Sequence, residues 1–138
     1  NDYEKIAFAV YQLGLMDTVC FEGKKTQDEI IKRMSKTDIY LQYSNQEGFC
    51  NAVLEAQSLN KLCIVSDAEG LPENVIDSKT GWVVPKRNPR LLATKINEVL
   101  LMTKDEKMKV QETARKRVVD EFTIEHQQNQ FRNFYINL

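Results

Sequence analysis

The sequence predicts an α/β fold, a parallel sheet with helices on both faces. Three observations carry this. Short apolar runs of strand length alternate with stretches of helical period. The run Leu62 to Ser66 is continuous in hydrophobicity, as a strand covered on both faces must be. Gly, Pro and Asn punctuate the intervals between runs.

The elements follow in order. Asp2 to Leu13 places Ile6, Ala9, Val10 and Leu13 at helical spacing, and Gly14 is the natural stop. Thr18 to Phe21 reads as a short strand. Gly23 to Thr26 is a loop, and Thr26 with Glu29 three residues on forms a capping box for a helix to about Met34. Asp38 to Ser44 is the next strand. Gly48 to Leu59 reads as a helix with little polar face, through Ala52, Val53, Leu54, Ala56 and Leu59, and is expected to be buried. Asn60 suits a left-handed cap behind it.

After the strand Leu62 to Ser66, Gly70 to Ile76 makes a turn and a short helix with Pro72 in its first turn. Gly81 to Val84 is a fourth strand, packed through Trp82 and closed by Pro85. Three helices end the chain: Pro89 to Met102, Lys104 to about Val119, and Thr123 to about Asn137. Alternating strands and helices imply right-handed crossovers and place a ligand at the carboxyl ends of the strands. There are no repeats, low-complexity stretches or evident linkers, so the 138 residues read as a single domain.

Composition sets the outer limits. A chain of this length buries roughly two-thirds of the surface its unfolded form exposes, enough for a core without metals or disulfides. Hydrophobic residues make up 42% and charged residues 28%, and 19 basic against 20 acidic residues give a net charge of -1, which argues against a nucleic-acid binder. Cys20, Cys50 and Cys63 are odd in number and widely spaced; reduced thiols and a cytoplasmic location are expected, with no zinc site. No apolar run approaches membrane-span length and no signal peptide opens the chain. Beginning at Asn1, it reads as an internal fragment.

The sharpest constellation is Glu47-Gly48-Phe49-Cys50-Asn51-Ala52-Val53-Leu54-Glu55, where a strand hands over to a buried helix. Two carboxylates eight residues apart bracket a helix amino end, where free amides and the dipole favour an anion and Gly48 lets a phosphate approach the backbone. With every intervening residue helical, the acids would stand about 12 Å apart along the axis and about 80° apart around it. Both could then flank one extended ligand with a negative centre and hydroxyls at either end, the layout of a nucleotide sugar. Taken alone, the spacing equally fits a first-turn acid and a solvated one. Glu55 adjoins the apolar stripe, however, and burying an unpartnered charge is costly.

The E-x7-E pattern from Glu47 to Glu55, followed by Ala56, resembles the signature of glycosyltransferase family 4, retaining enzymes of the GT-B fold. Leu13 to Gly23 and Asp38 to Ser44 are similar to the family's segments before the motif. Ser66 to Val75, Thr80 to Pro85 with Asn88-Pro89, and Glu121 to Glu125 resemble blocks after it. Several blocks in the right order make the match specific.

The resemblance implies a Rossmann-like domain, the partial C-terminal half of a GT-B enzyme lacking its first strands and the N-terminal acceptor domain. It implies that Glu47 contacts hydroxyls of the donor sugar as the catalytic-site acid, that Glu55 takes the ribose hydroxyls, and that amides of Gly48, Phe49, Cys50 and Asn51 hold sugar and phosphate oxygens. The donor would be a UDP-, GDP- or ADP-sugar, with no cofactor and no metal, and the parent enzyme would serve surface polysaccharide or glycoconjugate synthesis. Asn60 and Leu62 stand where the family usually shows Gly and Pro, and Glu69 replaces one of a common pair of glycines. The Arg and Lys that neutralise the diphosphate in the family belong to upstream strands, so the fragment alone is expected to bind donor weakly.

Other residues rank lower. Gly23, Lys24 and Lys25 could line a base pocket, although paired loop lysines usually face solvent. Asp67 and Glu73 flank the loop after the third strand, and Glu73 reads slightly better as a first-turn acid than as a support for the motif. His126 reads as a surface residue. Arg115-Lys116-Arg117 is explained by the dipole of its helix, and three charges are a thin case for peripheral attachment at the inner face of a membrane. Two rival readings remain open: another GT-B protein, an epimerase or a phosphorylase, and a non-enzymatic α/β ligand-binding module.

Overall fold

The computed structural model of the protein describes residues 2–136, so the predicted helix end at Asn137 lies outside the described residues. The chain divides into two compact units, residues 1–31 and 32–138.

In the first unit, helix α1 (Asp2–Gln12) is released at Gly14, whose φ of 65° is the left-handed conformation a glycine adopts freely. The predicted strand Thr18–Phe21 is not formed. The amides of Thr18 and Val19 turn back onto the Leu15 carbonyl at 3.0 and 2.9 Å, so a segment of strand-like composition closes a turn instead of joining a ladder. Tyr3 and Phe21 pack edge to face at 5.3 Å. The capping box is made as expected: Glu29 Oε2 accepts from the Thr26 amide at 2.9 Å, and Thr26 Oγ1 accepts from the Glu29 amide at 3.4 Å. It opens helix α2 (Gln27–Ser35).

The second unit is built on three parallel strands, β1 (Ile39–Gln42), β2 (Leu62–Ser66) and β3 (Trp82–Val84), in the order β1-β2-β3. Ile39 pairs with Leu62 and Ile64 with Trp82, so the strand ends align. All five residues of β2 are buried, which is what its unbroken apolar run predicts for a central parallel strand.

The pleat sends alternate side chains to two cores. Cys63 and Val65 join Val53 and Ala56 of helix α3 (Asn51–Ser58), Met34, and Leu71 of the short helix α4 (Leu71–Asn74). Leu62 and Ile64 join Trp82, Val84, Val99 of helix α5 (Pro89–Leu101) and Val110 of helix α6 (Lys104–Glu121). Helices therefore cover both faces, as predicted. Helix α7 (Ile124–Ile136) ends the described chain.

Two caps place the last long helices. Asn88 accepts from the Leu91 amide at 3.2 Å, and Thr103 with Glu106 forms a complete capping box. Asn60 has a φ of 55°, so the left-handed cap expected behind α3 is present. On α3, the fully buried Gln57 donates to the carbonyls of Asn74 and Thr80, each at 3.2 Å, tying α3 to α4 and to the approach to β3.

Candidate functional site

Three loops leave the carboxyl ends of the parallel strands side by side. Ser66 Oγ donates to the Ser44 carbonyl at 2.6 Å and accepts from the Ser44 amide at 3.1 Å, which pins the end of β1 to the end of β2. Tyr43 donates through its hydroxyl to the Pro85 carbonyl at 2.8 Å and accepts from the Asn88 amide at 2.7 Å, reaching the end of β3. Asp67 accepts from the Lys86 amide at 2.8 Å. Lys86 and Glu69 form an exposed ion pair at 3.2 Å, and hydrogen bonding to the backbone and to Lys86 lowers the Glu69 carboxyl below its ordinary range.

The motif Glu47 to Glu55 begins in the first of these loops. It is not helical throughout: Gly48 and Phe49 lie outside any helix or strand, Cys50 is the cap residue in extended conformation with φ of -104°, and α3 starts at Asn51. The predicted helix start at Gly48 is therefore three residues early. The cause is tertiary. The Glu47 carbonyl accepts from the Gly70 amide at 3.0 Å, and the Cys50 amide donates to the side chain of Asn74 at 3.0 Å. Both bonds hold the segment out of helical geometry, so the axial spacing and rotation computed for a continuous helix do not apply.

Two glycines shape this loop in opposite ways. A Cβ on Gly70 would stand 2.3 Å from both the carbonyl carbon and the oxygen of Gly48 and 2.8 Å from the Phe49 nitrogen, so backbone packs on backbone. A Cβ on Gly48 would meet nothing within 4 Å. Gly48 thus presents open backbone, and Gly70 holds it there.

Glu47 is half-buried, and one of its oxygens is already held. Oε2 accepts from Gln42 Nε2 and from Ser44 Oγ, each at 3.0 Å. Gln42 is itself oriented by Tyr40, whose hydroxyl donates to Gln42 Oε1 at 2.7 Å. Burial pushes the Tyr40 phenol up to about 12, aided in turn by Cys50, Cys63, Glu55 and Glu47. Both motif carboxylates thus lie within electrostatic reach of one phenol. Glu55, on the second turn of α3, is half-buried.

The remaining predicted residues sort as follows. Asn51 is exposed in the first turn of α3, where its amide and that of Ala52 have no acceptor within the helix. The Cys50 amide is not free for a ligand, since Asn74 takes it; that part of the expected amide cradle is corrected. Phe49 is 45% exposed and its ring packs on Phe122 at 5.6 Å. Gly23, Lys24 and Lys25 lie in an exposed loop of the first unit, Gly23 with φ of 67° and Lys25 paired with Glu22 at 3.7 Å.

Glu73 is exposed, in the first turn of α4. Arg117 does more than complement a helix dipole. Its guanidinium donates to the carbonyls of Asn74 (3.0 Å) and Glu73 (2.9 Å) and to Glu121 (2.9 Å). Gln42, Ser44, Ser66, Asn74 and Arg117 all fell inside segments already singled out, but sequence reasoning gave them no part in holding the motif; Gln42, Ser44 and Asn74 meet it across 3 to 24 residues of chain, and Ser66 and Arg117 brace those partners.

Cys20, Cys50 and Cys63 are free thiols, and burial raises the Cys63 thiol to about 12. Among the described residues no group of three or more His, Cys, Asp or Glu could hold a metal ion, and no helix is long and apolar enough to cross a membrane.

A parallel sheet covered on both faces, with a helix amino end and an open glycine at its carboxyl edge, defines a Rossmann-type α/β domain. Residues 1–117 match the family described as "Glycosyl transferases group 1", and the chain belongs to that family. It is 29% identical over 119 residues to the putative colanic acid biosynthesis glycosyltransferase WcaL of Escherichia coli, covering 82% of this chain and 29% of that protein. The chain thus spans about three tenths of that relative's length.

The solved glycosyltransferase of Rickettsia africae superposes with a TM-score of 0.88 at 25% identity, over 96% of this chain and 35% of the other. Anabaena Alr3699/HepE, solved with UDP-glucose, superposes at 0.87 and 20% identity, over 99% and 37%, a likeness of fold.

Proposed function

We propose that this chain is the donor-binding part of a retaining glycosyltransferase of family 4, and that its ligand is a nucleotide sugar seated on the Glu47–Glu55 segment. One observation carries the reading. Glu47 is fixed at the carboxyl edge of the sheet through one oxygen, by Gln42 and Ser44, next to the open backbone of Gly48 and the amino end of α3. A carboxylate fixed in this way accepts hydrogen bonds from sugar hydroxyls with its orientation already set.

Glu47 takes hydroxyls of the transferred sugar, the amides of Asn51 and Ala52 with the dipole of α3 take phosphate oxygens, and Glu55 takes the ribose hydroxyls. Stabilising the departing diphosphate by amides and basic side chains requires no metal ion. The remainder of the protein supplies the acceptor and further charge against the diphosphate. UDP-glucose in the Anabaena protein supports UDP as the base to test first, and the free thiols support a cytoplasmic location.

The test is calorimetric titration of UDP-, GDP- and ADP-sugars against the full-length protein and its Glu55→Ala variant, with and without chelator. Losing the ribose contact weakens donors of the preferred base by on the order of 1.5–3 kcal/mol, the scale of a hydrogen bond to a charged group. Unchanged affinity in Glu55→Ala removes Glu55 from the site, and donor binding that requires magnesium overturns metal independence.

A further inference from the structure

We infer that Arg117, on the last turns of α6, is a positioning residue for the donor loop: it fixes Gly48-Phe49-Cys50 from behind, by two separate routes. The first runs through α4. The Arg117 guanidinium donates to the carbonyls of Glu73 and Asn74 at the end of that helix, and the Asn74 side chain accepts the Cys50 amide at 3.0 Å. The second runs through aromatic packing. The same guanidinium lies 4.9 Å from the centroid of the Phe122 ring, and Phe122 packs on Phe49 at 5.6 Å. Glu121 holds the Arg117 Nε at 2.9 Å, so the fork is oriented before it meets either neighbour.

The arrangement suits Arg and no other residue. A planar fork can satisfy two adjacent carbonyls, one carboxylate and a ring face at once; an ammonium has neither the reach nor the flat face. The side chain is only 16% exposed, so water does not substitute for these partners. Asn74 is fully buried and sits where the two halves of the first route meet. The grip falls on Phe49 directly through Phe122 and on Cys50 through Asn74, the two residues that follow the open backbone of Gly48. A loop held from both ends presents its amides without an ordering cost at binding.

This inference rests on the proposed donor site for its functional consequence but not for its mechanical one, and the test separates the two. Cys50 reports loop order directly, being half-buried at the loop's end, while Cys63 is fully buried in the core and reports global unfolding. In the full-length protein, the labelling rate of each thiol with iodoacetamide is followed by peptide mass spectrometry for wild type, Arg117→Lys, Arg117→Met and Phe122→Leu, and UDP affinity is measured on the same samples.

The clamp requires Cys50 labelling to accelerate on the order of tenfold in the Arg117 variants and less in Phe122→Leu, with Cys63 still protected, and UDP affinity to fall by a similar factor. Cys50 labelling unchanged in Arg117→Lys and Phe122→Leu overturns the inference. Labelling of Cys50 and Cys63 rising together in every variant also overturns it, because Arg117 would then serve the whole fold. Accelerated Cys50 labelling with no binding of UDP, GDP or ADP in wild type leaves the clamp standing and counts against the donor reading.

Discussion

The two glycines that shape the Gly48–Cys50 loop make a paired prediction whose size can be worked from the structure. In Gly70→Ala the new methyl would enter 2.3 Å from the carbonyl group of Gly48 and 2.8 Å from the Phe49 nitrogen, distances that backbone cannot share. No flexible side chain is there to yield, so the loop itself must lift. Overpacking of this kind costs about 1–3 kcal/mol. Lifting the loop also breaks the bond from the Gly70 amide to the Glu47 carbonyl, about 1 kcal/mol more. The sum is about 2–4 kcal/mol, which at a urea slope of about 2 kcal/mol/M moves the unfolding midpoint by about 1–2 M.

Gly48→Ala should behave in the opposite way. Its Cβ meets nothing within 4 Å and its backbone is in an ordinary conformation, so the urea midpoint stays unchanged or rises slightly as the unfolded chain loses freedom. The methyl does, however, stand on the surface assigned to phosphate and sugar oxygens, and nucleotide affinity falls. Urea unfolding followed by circular dichroism, with UDP titrated against each variant, gives both numbers. A Gly70→Ala protein as stable as wild type would refute the packing argument. A Gly48→Ala protein that binds nucleotide as well as wild type would refute the assignment of that backbone to the ligand.

Three further outcomes are expected. The Tyr40 phenol is raised to about 12 by burial and by the acids around it, so its contribution to stability is complete below pH 10 and is lost as pH climbs toward 12; Tyr40→Phe removes this alkaline loss, read as the urea midpoint against pH. Thr103→Ala destroys the capping box of α6 and costs about 0.5–2 kcal/mol in thermal unfolding. The Glu106 carboxyl is held below its usual value by the Thr103 backbone and side chain, so what it contributes is present above the unfolded carboxylate range and disappears as pH falls; in Thr103→Ala the backbone bond stays and that acid-side dependence shrinks by the hydroxyl's share.

A double-mutant cycle on Glu47→Gln and Glu55→Gln should be nearly additive in unfolding, since one acid is anchored to the end of β1 and the other rides on α3. The same cycle is coupled in nucleotide-sugar binding, where one ligand bridges both. Additivity in binding would show that no single ligand spans them.

How far the sequence could be read is decided by where each residue finds its partners. The run Leu62 to Ser66 was legible to the residue because burial on both faces imposes its own composition. The Thr26 cap was legible because its bonds close within three residues. The start of α3 was not legible. Gly48-Phe49-Cys50 contains nothing that forbids a helix; what holds it out of the helix is Asn74, 24 residues beyond Cys50, and the Gly70 amide. Thr18 to Phe21 shows the same limit from the other side, since strand composition makes no strand without a neighbouring chain to pair with.

These two kinds of information meet in the motif. The eight-residue interval between Glu47 and Glu55 is conspicuous in sequence, yet it is not a property of any one element. Three non-helical loop residues and a short helix compose it, and each part is set by a different neighbour: Glu47 by Gln42 and Ser44, the loop by Gly70 and Asn74, the helix by Val53 and Ala56 in the core. The spacing is therefore a record of tertiary geometry, and the motif survives only as long as those neighbours do. On the proposed reading, changes at Gly70, Asn74 or Arg117 disturb the site while leaving Glu47 and Glu55 intact, so the two acids do not by themselves identify a donor site.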